Sequence, residues 1–311
     1  MKEDKMKDTI VPVVAPLHQD RTLDKDAVGR IFAYLYAHNA IPFILGTTGE
    51  SASLSNAFKE EYLQAAFASK VEGQEVYVGI SSNILEESVD LAQQAYDLGV
   101  KAVAATLPTY YKLSDTQMEN YFLQLAEKCP ADLIIYNIPA TTHMSIPLSL
   151  LDKLSYHPKI VGVKDSERSI ERLDQSLSLW ADRADFKHYM GWAAQSAYAM
   201  INGSAGIVPS SGNFAPAIYQ QMCLAVQDGD ASLAYALQKQ SDDLGALYQT
   251  DKSLGESLWA LKVLMKELGL CDAYMMPPLH ALDVAEETKL ISAFQELINK
   301  ESIKLNITNN V

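Results

Sequence analysis

Cysteine is scarce in this chain. Cys129, Cys223 and Cys271 are the only three, they lie far apart, and none belongs to a CxxC pair. That spacing argues against a disulfide framework and a cysteine-ligated zinc site, and fits a reducing compartment, the cytoplasm. Positive charge is also in short supply: 25 Lys and Arg stand against 39 Asp and Glu, a formal net charge of −14. A field of that sign repels phosphate backbones and anionic lipid, so neither nucleic acid nor membrane is an expected partner. A small acidic substrate is not excluded, because backbone N–H groups at a helix start can hold an anion locally. Long apolar runs are missing too, and none approaches the ~20 residues of a membrane span. The first residues imitate a secretory signal, with lysines ahead of an apolar stretch at 10–15. That stretch is too short, and Asp8 and Pro12 interrupt the pattern, so it reads as a first strand. The six histidines, His18, His38, His143, His157, His188 and His280, form no close pair suited to a metal. No metal and no cofactor is expected.

What the chain does contain is a regular alternation. Its 311 residues are 48% hydrophobic and 21% charged, an ordinary globular balance with enough apolar material for a large core. Short apolar, β-branched runs predict strands at 10–16, 41–45, 76–80, 100–106, 133–136, 159–164, 186–191 and 206–208. Between them, one helix starts at an Asp24 cap and carries Val28, Ile31, Phe32 and Leu35 on one face. Others are predicted at 56–70, 84–98, 115–128, between Pro147 and Pro158, and at 169–180 and 193–201. Eight strands alternating with helices every 20–40 residues or roughly so, unbroken by a Pro- or Ser-rich linker, predict an α/β fold, a closed (β/α)8 TIM barrel. Residues 215–300 lack strand signals and read as a C-terminal helical extension, with apolar faces at Leu244, Leu247, Leu258, Leu261, Val263 and Leu264. A single domain, 1–311, is expected, with the barrel over 8–214 and the helices over 215–300; the tail 306–311 is expected to be loose.

In such barrels the chemistry sits where the strands end. The second strand runs into Gly46-Thr47-Thr48-Gly49-Glu50-Ser51, where glycines permit a tight turn and N–H groups can hold an anion. No Gly-Lys-Ser/Thr follows, so this is not a nucleotide loop. Tyr110 and Tyr111 follow the fourth strand, Tyr136 ends the fifth, and Lys164, with Ser166 just beyond, ends the sixth. Gly191 ends the seventh, and Ser210 and Ser211 follow the eighth. Any one of these is ordinary, and a strand-end lysine can simply snorkel to water. Together they fit one mechanism. Burial favours the neutral amine of a lysine, which attacks a ketone to form an imine, an electron sink for breaking or making a C–C bond. A tyrosine hydroxyl can shuttle the proton, relayed through Thr47 and a second tyrosine. The loop N–H groups would hold the carboxylate of a 2-oxo acid.

From 10 to about 213, the chain resembles the dihydrodipicolinate synthase / N-acetylneuraminate lyase family of pyruvate-type class I aldolases. The motifs that carry the resemblance are Gly46-Thr47-Thr48-Gly49-Glu50-Ser51, Tyr136-Asn137-Ile138-Pro139 and Val161-Gly162-Val163-Lys164. It implies that Lys164 is the Schiff-base residue and Tyr136 the catalytic tyrosine, working through Thr47 and Tyr110, the last reaching into a neighbouring subunit's site. Thr48 would take the carboxylate, Val208 would contact substrate through its backbone, and Ser166, Gly191 and Ser210 would complete the substrate-binding set. The implied partners are pyruvate or a similar 2-oxo acid and an aldehyde. The implied assembly is a homo-oligomer, a dimer or a tetramer built from tight dimers.

Two departures bear on the aldehyde. Dihydrodipicolinate synthases usually place an arginine two residues beyond the motif's proline, followed by Thr-Gly; here Thr141 and His143 stand at the arginine and glycine positions. Threonine cannot reproduce a guanidinium's two-pronged grip on a carboxylate. Neuraminate lyases carry an acidic pair after the seventh strand, where this chain has Gly191-Trp192-Ala193-Ala194. The leading expectation is a lyase acting on a 2-keto-3-deoxy sugar acid or related compound, with His143 and Thr141 lining the acceptor side. The alternatives are 4-hydroxy-tetrahydrodipicolinate synthase and a non-catalytic pyruvate-binding or regulatory member.

Overall fold

The computed structural model describes residues 7–303 and residue 305; the tail expected to be loose, 306–311, lies outside them. The strands are β1 (Asp8–Pro12), β2 (Ala40–Ile44), β3 (Tyr77–Gly79), β4 (Ala102–Ala105), β5 (Asp132–Asn137), β6 (Ile160–Asp165), β7 (Lys187–Met190) and β8 (Gly206–Ile207). They pair in sequence order and in parallel, and β8 closes back on β1 through Asp8↔Gly206 and Thr9↔Ile207, so the sheet is a closed barrel. Parallel strands covered on both faces need apolar side chains pointing both ways. The inward set is small: Ile10, Phe43, Ala104, Ile134, Tyr189 and Val208. Outward residues such as Val11, Ile44, Val78, Val103 and Ile135 join the larger core under the helices.

The helices are α1 (Lys25–Ala37), α2 (Asn56–Ser69), α3 (Leu85–Asp97), α4 (Asp115–Lys128), α5 (Pro139–Thr142), α6 (Leu148–Leu154), α7 (Ile170–Leu179), α8 (Ser196–Ile201), α9 (Pro216–Gln227), α10 (Ala231–Gln249), α11 (Leu254–Glu267) and α12 (Val284–Glu301). Asp24 caps α1 by accepting from the Ala27 N–H at 2.9 Å, as its place in the sequence predicts. Ser114 and Gln117 form a reciprocal capping box at α4. The first strand is displaced from its expected span. Beyond Val13 the backbone leaves the ladder, with Val14 N–H donating to Asn213 and Val14 C=O accepting from the Tyr62 hydroxyl. No helix among the described residues is long and apolar enough to cross a membrane.

The C-terminal segment is helical, as expected, and α9 follows β8 in the position of the eighth barrel helix. Every residue of α11 from Ser257 to Met265 is buried, the mark of a helix enclosed on all sides. Leu258, Leu261, Val263 and Leu264 supply part of that core. Phe214, just past β8, meets Tyr248 of α10 and Phe294 of α12 edge to face, with ring centres 5.8 and 5.7 Å away. These rings tie the extension to the barrel wall.

One of the outward polar strand residues is a histidine. His188 of β7 is buried, stacks on Trp180, and sets Nδ1 3.2 Å from the Ser204 hydroxyl, while Nε2 has no partner among the described residues. Burial pushes its pKa down from the usual 6.5 to about 4, with Arg172 adding to the effect and Asp165 opposing it. The neutral ring therefore stabilises the fold fully above about pH 6.5, and that contribution disappears as pH falls toward 4. Its size is at most about 3 kcal/mol. In His188→Gln the unfolding free energy, measured by denaturant titration across that window, should fall less steeply with acid than in the wild type. Parallel slopes would contradict this account of His188.

Candidate active site

Lys164 reaches the barrel interior because of an irregularity in β6. Its partner β5 pairs Leu133 with Ile160 and then Ile134 with Gly162, leaving Val161 as an extra residue. Ile160 and Val163 belong to the outer core and Val161 to the inner one. Strict alternation from Val161 would turn Val163 inward and Lys164 outward. The extra residue reverses the phase and aims Lys164 into the barrel. Gly162 is what lets the bulge fit, since a Cβ there would lie 2.6 Å from the Lys187 carbonyl oxygen of β7.

Lys164 is 6% exposed. Its Nζ lies 3.8 Å from the centre of the Tyr136 ring and 5.0 Å from that of Phe43. Tyr136 is directly opposite Lys164 in the β5–β6 register. Its hydroxyl is 3.5 Å from the Thr47 hydroxyl, at the outer limit of a hydrogen bond. Burial pushes the Tyr136 phenol up, but the Lys164 charge and hydrogen bonds from Thr47, Lys164 and Ser166 outweigh it, so the phenol is held below the usual 10. A buried phenol more easily ionised than normal, touching an amine, can give up and recover a proton during a reaction at that amine.

The residues that follow these two hold them in place. Asn137 and Asp165 point to the opposite face and are themselves bonded, Asn137 Nδ2 donating to Asp165 Oδ1 at 2.9 Å. Asn137 also donates to Glu167, and Arg172 of α7 donates to Asp165 at 2.7 Å and to the Ile146 carbonyl at 2.9 Å. This ion pair is nearly dry, with side-chain exposures of 11% and 4%, so removing one partner would strand a buried charge. Nothing in the sequence alone paired Asn137 with Asp165; the parallel register does.

The loop after β2 begins and ends in the left-handed region, at Leu45 (φ 56°) and Glu50 (φ 57°). Within it, Gly49 N–H donates to Gly46 C=O and Glu50 N–H to Thr47 C=O, both at 3.1 Å. The N–H groups of Thr47 and Thr48 have no such partner among the described residues, which leaves them available to an anion. Thr48 is buried and Thr47 half-buried.

The remaining expected residues divide. Ser166 and Gly191 pack tightly together: Gly191 N–H donates to Asp165 C=O at 2.7 Å, and a Cβ on Gly191 would collide with the Ser166 hydroxyl. Val208 N–H donates to Met190 C=O at 2.8 Å, so only its carbonyl could face a substrate. Ser210 is 2.7 Å from the Tyr248 hydroxyl of α10. Thr141 lines a cavity of about 690 Å³ above Phe43, Thr47 and Tyr136. His143 is exposed in the left-handed region (φ 57°) at the end of α5 and does not line that cavity. Tyr110 is 81% exposed and stacks edge-on with Tyr111; within one chain it does not meet Tyr136. Tyr136 and Phe43 line that cavity, and the Lys164 amine lies against both rings. Two contributors escaped the sequence reading, Phe43 and the buried pair Glu50–Lys262. The signal for the second was a lysine inside an otherwise apolar helix, Leu258-Trp259-Ala260-Leu261-Lys262-Val263-Leu264. Among the described residues, no group of three or more His, Cys, Asp or Glu side chains converges as a metal site requires.

The sequence profile of the dihydrodipicolinate synthetase family matches residues 5–297. A probable 2-dehydro-3-deoxy-D-pentonate aldolase of Escherichia coli (strain K12) is 29% identical over 92% of this chain and 94% of its own length. A 4-hydroxy-tetrahydrodipicolinate synthase of Laribacter hongkongensis is 28% identical over 92% of this chain and 97% of its own. The solved dihydrodipicolinate synthase of Bacteroides thetaiotaomicron has a TM-score of 0.88 at 28% identity, covering 94% of this chain and 99% of the other. A prophage protein of the dihydrodipicolinic acid synthase family from Escherichia coli K12, solved with pyruvate, shares the fold with a TM-score of 0.89 at 23% identity, over 96% of this chain and 100% of its own.

The bulge makes a direct prediction. Gly162→Ala should lower the unfolding free energy by about 1–3 kcal/mol through overpacking against β7. Gly245→Ala, on α10 where nothing lies within 4 Å of an added Cβ, should instead raise it, by about 0.5–1 kcal/mol. Denaturant unfolding of both variants checks this, and an unaffected Gly162→Ala would mean that Gly162 is not what seats the bulge.

Proposed function

Because this chain belongs to the dihydrodipicolinate synthetase family, we propose that it is a Schiff-base lyase whose Lys164 forms an imine with pyruvate or a similar 2-oxo acid, and that its substrate is a 2-keto-3-deoxy sugar acid. The observation that carries the reaction class is the buried amine of Lys164 against the Tyr136 phenol, 3.8 Å from its ring centre. In the cleavage direction the neutral amine attacks C2 of the keto acid, and uptake of one proton with loss of water leaves a protonated imine; the proton is returned when the imine is hydrolysed. A base removes the proton of the C4 hydroxyl, the C3–C4 bond breaks, and its electron pair flows into the imine to give an enamine. The aldehyde departs, C3 regains a proton, and water hydrolyses the imine to release pyruvate and restore the amine. Tyr136, with its lowered pKa, is the group placed to carry these protons, with Thr47 next in the relay. The free N–H groups of Thr47 and Thr48 suit the substrate carboxylate.

Thr141 supports the choice of aldehyde. It stands on the cavity wall where carboxylate recognition would call for a guanidinium. The one cation in that wall among the described residues is Lys59, whose charge faces Glu87. A wall rich in hydroxyls, with two carboxylates and a single cation that faces one of them, suits a polyhydroxy aldehyde better than an acidic one. The aldolase relative from Escherichia coli supports the same reading. Condensation with aspartate semialdehyde is the second reading, favoured by the 4-hydroxy-tetrahydrodipicolinate synthase relatives at nearly equal identity. The exposed Tyr110 suits an oligomer in which it completes the relay of a neighbouring copy. Intact Lys164, Tyr136 and Thr47 weigh against a non-catalytic role.

Purified protein should release pyruvate from 2-dehydro-3-deoxypentonate or -hexonate, measured by a coupled reductase, and should turn over pyruvate with aspartate semialdehyde far more slowly. Robust condensation with the semialdehyde and no cleavage of any sugar acid would overturn this assignment.

A further inference from the structure

Outside the reacting groups, the most unusual feature is an ion pair removed completely from water. Lys262 of α11 and Glu50 of the β2 loop both have side-chain exposures of 0%. Every strong partner of the pair is accounted for. Lys262 Nζ donates to Glu50 Oε1 and to the Tyr274 carbonyl at 2.7 Å, and Met276 N–H donates to Glu50 Oε2 at 2.8 Å. Two connections thus run from one loop residue to the C-terminal extension, and a third ties Lys262 to the Tyr274 carbonyl within it. A buried ion pair is a poor source of net stability, because desolvating two charges offsets most of their attraction, and apolar residues of equal volume often serve as well. What such a pair does supply is a fixed geometry.

The geometry it fixes belongs to the site. Glu50 is the last residue of the turn that starts at Gly46, and its own N–H is bonded to the Thr47 carbonyl at 3.1 Å. Glu50 also sits in the left-handed region, φ 57°, with Leu45 at φ 56° on the other side of the turn. Non-glycine residues hold that conformation only where their surroundings impose it. Inside this turn lies Thr47, whose hydroxyl is 3.5 Å from the Tyr136 hydroxyl. A contact at the limit of hydrogen bonding has no slack, and a small shift of the loop breaks it.

The geometry points to Glu50 and Lys262 as positioning residues: a buried clamp through which the C-terminal helices hold Thr47 in reach of Tyr136. This assignment rests on the imine chemistry proposed above. It gives the helical extension a role in the reaction although none of its charged groups touches the reacting atoms.

The test is exchange of the pyruvate methyl protons with deuterated solvent, followed by NMR, which requires both the imine and proton transfer at C3. Glu50→Gln/Lys262→Met removes both charges, keeps the volume and strands neither charge, so it should unfold close to the wild type in denaturant. Its exchange rate should fall by about tenfold or more, the scale on which sub-ångström to ångström misplacement acts. Glu50→Gln alone keeps the shape and the Met276 bond but strands the Lys262 charge, so it should unfold more readily than the double variant and lose exchange at least as strongly. In a Thr47→Val background, the double substitution should cost little further, because the group it positions is already gone. A merely structural pair would instead give the same factor in both backgrounds. Wild-type exchange matched by both clamp variants, or an undiminished loss in the Thr47→Val background, would overturn the clamp alone. Absence of exchange in the wild type would remove the catalytic reading and the clamp with it.

Discussion

An amine sits almost out of water against the face of a phenol ring, and most of the molecule's local peculiarities serve that contact. Burial by itself pushes the phenol up. Placed together, the cation lowers the phenol's pKa, and Tyr136 is held below its ordinary value in spite of its burial. A lysine and a tyrosine so coupled form the minimum set for imine chemistry: a nucleophile, and a proton carrier within reach of the atoms that form.

The scaffold makes this contact in layers. Parallel register sets Tyr136 opposite Lys164, and a one-residue bulge at Val161–Gly162 supplies the phase that turns the lysine inward. One position further along each strand, Asn137 and Asp165 bond on the outer face and are locked by Arg172. The β2 loop brings Thr47 to the phenol, and the Glu50–Lys262 pair anchors that loop to α11. The inner contact is therefore held from outside the barrel, where packing is dense and water is excluded, and the mouth is left free for substrate.

Much of this was legible in the sequence, for physical reasons that can be named. Eight apolar runs alternating with helices make a parallel sheet covered on both faces, open or closed, and the closed barrel that the count favours is what forms. Lys164, Tyr136 and Thr47 stood out because strand ends are where a barrel keeps its chemistry, and these three lie together. The bulge was not legible, because it is a property of two strands: Val161-Gly162-Val163-Lys164 gives no sign of which residue β5 will skip. Lys262 is conspicuous within its apolar helix, but its partner Glu50 lies 212 residues away in the chain, so the pair was not legible. His143 was expected near the acceptor side, but the turn after Pro139 leaves it exposed at a helix end. Tyr110 is exposed and lies against Tyr111 rather than Tyr136.

The most direct test is borohydride reduction in the presence of pyruvate, with the modified peptide located by mass spectrometry. The account expects one reduced pyruvate adduct per chain, on Lys164, and none in Lys164→Ala. An adduct that persists in Lys164→Ala, or a wild-type protein that takes up no label at saturating pyruvate, would contradict it.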